Sequence, residues 1–213
     1  MKGIFISFEG IEGSGKSTQI KMLNEHIVAC GRKTVLTREP GGTEIGEKIR
    51  LILLDSSHTN MSPRAELFLY EASRNQHLFE VIQPALKRGD IVLCDRYADA
   101  TTAYQGAARK ISGEVIEEAH RIATESLMPD VTFLLDLPAE NGLHRARSRN
   151  ADDPDMATQD RFENEKIEFH KRVRQGYLDL AKREPSRVRI IDATQDISNI
   201  YKDILSEVSK LGI

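Results

Sequence analysis

The sequence predicts an α/β fold, a five-stranded parallel sheet with helices on both faces, built around a phosphate-binding loop. Three observations carry this. Strand-like apolar runs recur at 3–8, 34–37, 91–94, 131–135 and 187–191. Helical patterns fill the intervals and the end of the chain, at 18–30, 44–54, 63–88, 114–127, 139–148, 162–183 and 197–210. The first strand runs directly into Gly10-Ile11-Glu12-Gly13-Ser14-Gly15-Lys16-Ser17, a complete G-x-x-x-x-G-K-S sequence. Strands that alternate with helices need crossover connections, which make neighbouring strands parallel. A chain of 213 residues is long enough for one such sheet and its covering helices, so a single domain spanning 1–213 is expected.

Taken in order, Ile4-Phe5-Ile6-Ser7-Phe8 reads as a buried strand. The segment after the loop places Ile20, Leu23 and Ile27 at helical spacing. Gly31 and Gly89 stand where helices should stop. Ser62-Pro63 is an N-cap followed by proline in the first turn, and Pro84 should kink or split the long pattern that follows. Met128-Pro129 separates a helix from the fourth strand. The polar, turn-forming stretch from Asn150 to Gln159 is the natural place for a mobile lid, set at 145–161.

Composition narrows the class. Thirty basic residues against 33 acidic ones leave no broad positive field, so neither nucleic acid nor an acidic membrane surface is expected as a partner. No apolar stretch approaches the length of a membrane span. Cys30 and Cys94 lie far apart without a C-x-x-C pair, which fits a reducing, cytoplasmic setting with both thiols acting as small apolar side chains. The six histidines lack metal-ligand spacing and read as structural or solvated.

The loop is a nucleoside triphosphate site, and ATP and Mg²⁺ are the expected cofactors. Its glycines let backbone N–H groups point inward at phosphate oxygens, with the positive end of the next helix behind them. Gly10, Ile11, Glu12, Gly13, Ser14, Gly15, Lys16, Ser17 and Thr18 are the expected ATP-binding residues. Lys16 reaches the β- and γ-phosphates, while Ser17 ligates Mg²⁺, assisted by Asp95 at the end of the third strand. Ligands of open parallel sheets gather beyond the carboxyl ends of the strands. There the second strand leads into Arg38-Glu39-Pro40-Gly41-Gly42-Thr43, and the third into Asp95-Arg96-Tyr97. Two arginines beside a phosphate loop imply a second phosphate. Arg145, Arg147 and Arg149 precede the irregular stretch, and lid arginines neutralise charge during phosphoryl transfer. Tyr70 and Arg74, four apart on one helix, can stack on and hydrogen-bond a flat heterocycle. Their helix is apolar nearly all round, so a sheet or a partner subunit should cover it. Asp136 reads as a helix cap before Pro138.

These residues, from about 3 to 205, resemble the thymidylate kinases of the nucleoside monophosphate kinase group. Further matches are Phe8-Glu9-Gly10, Ala103-Tyr104-Gln105-Gly106 and Asp192-Ala193-Thr194. The resemblance implies phosphorylation of dTMP to dTDP by ATP, with Glu12 near the sugar 3′-hydroxyl and Arg38 and Arg96 on the acceptor phosphate. It further implies Tyr70 stacked on thymine, Arg74 at its carbonyl, Tyr104 crowding the deoxyribose, Gln105 lining the same pocket, and a homodimer. Lys16, Asp95, Arg96 and the lid arginines Arg145, Arg147 and Arg149 form the implied catalytic set. Gly13, where eukaryotic-type loops carry arginine, points to the bacterial type with its catalytic arginine in the lid. Phenylalanine usually stands where this chain has Tyr70, and the lid is several residues longer than in compact bacterial relatives. Two other readings stay open: a deoxynucleoside kinase using Glu39 or Asp95 as base, and a nucleotide-dependent switch or motor.

Overall fold

The structure, a computed structural model, describes residues 3–151 and 161–212, with side chains for 3–148 and 161–212. Five strands, β1 (Ile4–Glu9), β2 (Thr34–Arg38), β3 (Ile91–Asp95), β4 (Val131–Asp136) and β5 (Val188–Asp192), form one sheet in the order β2-β3-β1-β4-β5. Every pairing is parallel. The central strands are buried along nearly their whole length because helices cover both faces. Alternation sorts their side chains. Ile6, Phe8, Ile91 and Leu93 enter the larger core, while Phe5, Val92 and Cys94 enter a second core on the opposite face. Register then aligns the carboxyl ends, with Arg38 opposite Asp95 and Phe8 opposite Asp95.

The helices are α1 (Lys16–Ala29), α2 (Glu44–Leu54), α3 (Pro63–His77), α4 (Gln83–Arg88), α5 (Ala98–Thr101), α6 (Gly113–Thr124), α7 (Ala139–Ala151), α8 (Ile167–Arg183) and α9 (Ile197–Val208). Ser62 caps α3 as expected, its hydroxyl accepting the Ala65 N–H at 3.2 Å. Gly89 ends α4 at φ 83°, the left-handed geometry that a side chain resists. The long 63–88 pattern is divided by a π-helical turn, Leu78–Ile82, just before Pro84. Proline has no N–H to give and its ring crowds the carbonyl four residues back, so the split falls where the sequence placed it.

Several expectations need correction. The sequence reading assigned no helix to 98–108, yet α5 and a π-helical turn, Thr102–Ala108, occupy it. The helix expected from 162 starts at Ile167, because residues 161–165 form turns pinned by buried contacts. The helix expected to end at 127 stops at Thr124, where Glu125 and Ser126 turn to positive φ. Asp136 caps nothing: it accepts both arms of Arg174 at 2.7 and 2.8 Å, and Pro138 supplies the carbonyl at the start of α7. Cys30 is exposed rather than packed. No helix among the described residues is long and apolar enough to cross a membrane.

Candidate active site

A cavity of about 550 Å³ opens beyond the carboxyl ends of β1, β2 and β3. Its floor is the glycine loop. Gly13, at φ 72°, lies against the backbone of Gly142, where a Cβ would collide. This close approach brings the first turns of α7 onto the loop and sets exposed Arg145 at the cavity wall. Glu12, Gly13, Gly15, Lys16, Ser17 and Thr18 line the cavity; Gly10, Ile11 and Ser14 support it from behind. The Ile11 side chain is part of the core, which leaves its backbone for the loop.

Lys16 opens α1 and is nearly buried. Its ammonium donates to the carbonyls of Gly10 and Ile11 at 3.2 and 3.0 Å and approaches Ser14 Oγ at 3.4 Å. Burial, then the charge of Arg96, bring its pKa down to about 8. A phosphate anion relieves both effects. The Ser17 hydroxyl donates to Asp95 Oδ2 at 3.1 Å. Among the described residues no cluster of three or more His, Cys, Asp or Glu could hold a metal ion. Two hard oxygens with phosphate and water completing the shell suit Mg²⁺, which keeps several waters and binds through few protein ligands.

Arg96 stands at φ 71°, unusual for a side-chain-bearing residue, and its N–H bonds the Phe8 carbonyl at 3.0 Å. The bend turns its guanidinium across the cavity. Nη2 donates to Glu12 Oε1 at 3.0 Å, Nη1 donates to the Tyr177 hydroxyl at 3.1 Å, and the group lies 5.0 Å from the centre of the Tyr104 ring. Tyr104 donates to the same Glu12 oxygen at 2.5 Å. Burial alone would raise the Glu12 pKa, but Arg96 and its hydrogen bonds hold the carboxyl well below the usual range. Behind it, Glu9 accepts the Tyr97 N–H and the Tyr177 hydroxyl, each at 2.7 Å. Burial and the nearby Asp99 push the Glu9 pKa up to about 8. Glu9, Tyr177, Arg96 and Glu12 thus form one chain of hydrogen bonds.

Arg38 also lines the cavity, exposed and paired with Glu47 at 2.9 Å. The sequence reading missed Arg50, which lines the same cavity near both. Its Nη1 donates to the Pro40 carbonyl at 3.0 Å, and burial followed by repulsion from Arg38 lowers its pKa. An arginine in an ordinary charged helix pattern gives no signal of this placement. Tyr70 lines the far end, tilted against Phe162 with ring centres 6.4 Å apart, and burial pushes its phenol pKa up. Phe162, also unforeseen, meets Tyr104 edge-on at 5.4 Å.

Arg74 is 1% exposed and more committed than its sequence pairing with Tyr70 suggested. It donates to Glu39 at 2.8 Å, Glu71 at 2.6 Å, the Tyr97 carbonyl at 3.2 Å and Thr101 at 3.0 Å, while still lining the cavity. Gln105 lines the same end and donates to Glu66 at 2.7 Å. Of the lid arginines, Arg145 reaches the cavity, whereas Arg147 points at the Glu163 carbonyl 3.4 Å away. The Arg149 side chain and residues 152–160 of the expected lid lie outside the described residues.

Residues 8–204 match the family model described as Thymidylate kinase. Among curated relatives, the thymidylate kinase of Desulfosudis oleivorans is 53% identical over 98% of this chain and 97% of its own length. That of Trichlorobacter lovleyi is 50% identical over 99% of both. The crystal structure of thymidylate kinase from Ehrlichia chaffeensis superposes with a TM-score of 0.78 at 32% identity, covering 98% of this chain and 99% of that one. With the fold, the loop and the whole length in agreement, the chain belongs to the thymidylate kinase family, the phosphotransferases that make dTDP from dTMP.

Proposed function

We propose that the chain transfers the γ-phosphoryl group of ATP to dTMP as a single kinase domain, with donor and acceptor meeting in the cavity above the glycine loop. The observation that carries this is the distribution of charge. Lys16 marks one end, and Arg38, Arg50 and Arg96, which no triphosphate tail needs, face it across the same space. A nucleoside acceptor gives those arginines nothing to bind, whereas a nucleoside monophosphate gives them its phosphate. Glu39, a base in the deoxynucleoside kinase reading, is held by Arg74 at 2.8 Å and His77 at 3.0 Å, and Asp95 by Ser17.

The chemistry needs little proton transfer. The acceptor phosphate, with a second pKa near roughly 6, is already largely dianionic at neutral pH. One of its oxygens bonds to the γ-phosphorus as the bridging bond to the β-phosphate breaks, and the leaving ADP keeps that electron pair. The residues act by position and charge. The loop amides and Lys16 hold the donor, while Arg38, Arg50 and Arg96 aim the acceptor oxygen. Of the three lid arginines, Arg145 is assigned to the transferring group together with Arg149, while Arg147 is turned to the Glu163 carbonyl and supports the lid. Glu12, fixed by Arg96 and Tyr104, receives the sugar hydroxyl, and Tyr70, Arg74, Tyr104 and Gln105 receive the base and sugar. Ser17 and Asp95 would hold Mg²⁺, which supplies neutralisation of phosphate charge when bound.

Lys16→Ala tests the arrangement. Turnover should fall by about 10² or more while dTMP affinity in calorimetry stays within about threefold, because the ammonium serves only donor phosphates. An active variant, or wild-type enzyme that uses thymidine as well as dTMP, would overturn it.

The chain is further assigned to the cytoplasm, where its free Cys30 and Cys94 stay reduced, and to a homodimer. Phe68 and Phe79, 65% and 71% exposed, stand with Val115 and Ile122 on the outer faces of the packed helices α3 and α6 and the adjoining turn. An apolar surface of that kind fits a second copy. A sedimentation mass equal to one 24.0 kDa chain would overturn this assignment.

A further inference from the structure

Glu66 lies on α3 with no exposed surface, and the chemistry above makes no use of it. Three side chains converge on its carboxylate. Gln105 Nε2 donates to Oε1 at 2.7 Å, and Arg109 donates to both oxygens at 3.3 Å. Arg161 Nη2 stands 2.8 Å from Oε2. The two guanidinium groups are themselves fixed: Arg161 lies 4.6 Å over the Phe162 ring, and Arg109 lies 4.6 Å over Phe169 and bonds Glu165 at 2.6 Å. The carboxylate is clamped on both oxygens and has no freedom to turn.

A carboxylate accepts hydrogen bonds and donates none, so it can be satisfied only by the NH₂ arm of Gln105. That fixes the amide. Its carbonyl arm is left for the cavity, which Gln105 lines together with Tyr70 and Arg74. We propose that Glu66 is a positioning residue for base selection: by holding Nε2 of Gln105, it presents Oε1 as an acceptor to the ring N3–H of thymine or uracil. Cytosine carries an acceptor at N3, so the same oxygen opposes it. This inference rests on the reading of the cavity as the dTMP site.

Glu66→Gln offers both a donor and an acceptor, so Gln105 fits either way round and the selection loosens. With dTMP, dUMP and dCMP as acceptors, kcat/KM for dTMP and dUMP should fall together by about tenfold, the scale of one net hydrogen bond, while dCMP is unchanged or improved. A purely structural role would lower all three in proportion. Glu66→Asp keeps the charge opposite Arg109 and Arg161 but draws the carboxylate back by one methylene, and should move the ratios the same way. A dTMP to dCMP ratio within about twofold of wild type in the folded Glu66 variants would overturn the proposal. Gln105→Met separates the two levels. If it shifts the ratio while the Glu66 variants do not, only the role of Glu66 fails. If it leaves the ratio unchanged, Gln105 does not face the base, and the assignment of this end of the cavity fails with it.

Discussion

Replacing Arg74 by alanine should destabilise the protein more than a substrate-reading residue would. The guanidinium is buried with Glu39 and Glu71, whose side chains are 3% and 8% exposed, at 2.8 and 2.6 Å. Burial favours the neutral form of Glu71, but Arg74 and His120 outweigh it and keep its pKa low. Removing one partner of such a cluster typically costs about 3 to 5 kcal/mol, because the remaining charges stay buried. His77 still faces Glu39 at 3.0 Å and His120 faces Glu71 at 3.1 Å, which places the loss near the lower end, about 3 kcal/mol. Against a total stability of about 5 to 15 kcal/mol, this is a large share. Urea unfolding with linear extrapolation, on wild type and Arg74→Ala, measures it. Adding Glu71→Gln to the variant should recover part of the loss by removing a stranded charge. Arg74 also holds the Tyr97 carbonyl beside Arg96, so turnover should suffer together with base choice. A loss below about 1 kcal/mol, with no recovery in the double variant, would refute the reasoning.

Two further outcomes are expected. Arg145→Ala should lower kcat by about 10² with modest change in KM, whereas Arg147→Ala should cost less than about tenfold; equal effects in steady-state kinetics would contradict the placement of the two arginines. Glu9 has its folded pKa raised from 4.5 to about 8, so between those values the folded state retains a proton that the unfolded chain has released. Stability should therefore fall as pH rises across that window, and Glu9→Gln should flatten the dependence of Tm on pH. Lys16, lowered from 10.5 to about 8, acts in the opposite sense only above about 8, so the two slopes separate. An unchanged slope in Glu9→Gln would exclude Glu9 as its source.

What the sequence determined by itself was whatever depends on neighbours along the chain. The glycine loop, the Ser62 cap, the break near Pro84 and the five apolar strands are local patterns with a single low-energy solution. The residues at strand ends were also legible. A parallel sheet brings its carboxyl ends to one edge, and Arg38, Asp95 and Arg96 had to lie there. Residues 98–108 escaped because a short helix running into a π-helical turn has no clear 3.6-residue pattern, yet that segment carries Tyr104 and Gln105. Tertiary structure alone decided how the charges pair. Arg50 joins Arg38 and Arg96 at the cavity, Asp136 goes to Arg174, Arg74 is shared between Glu39 and Glu71, and Glu66 gathers Gln105, Arg109 and Arg161 from positions 39 to 95 residues away. Each of these carboxylates had many arginines to choose from in the sequence. The choice is made by burial, which admits a charge only beside the partner that the packing of the helices brings within reach.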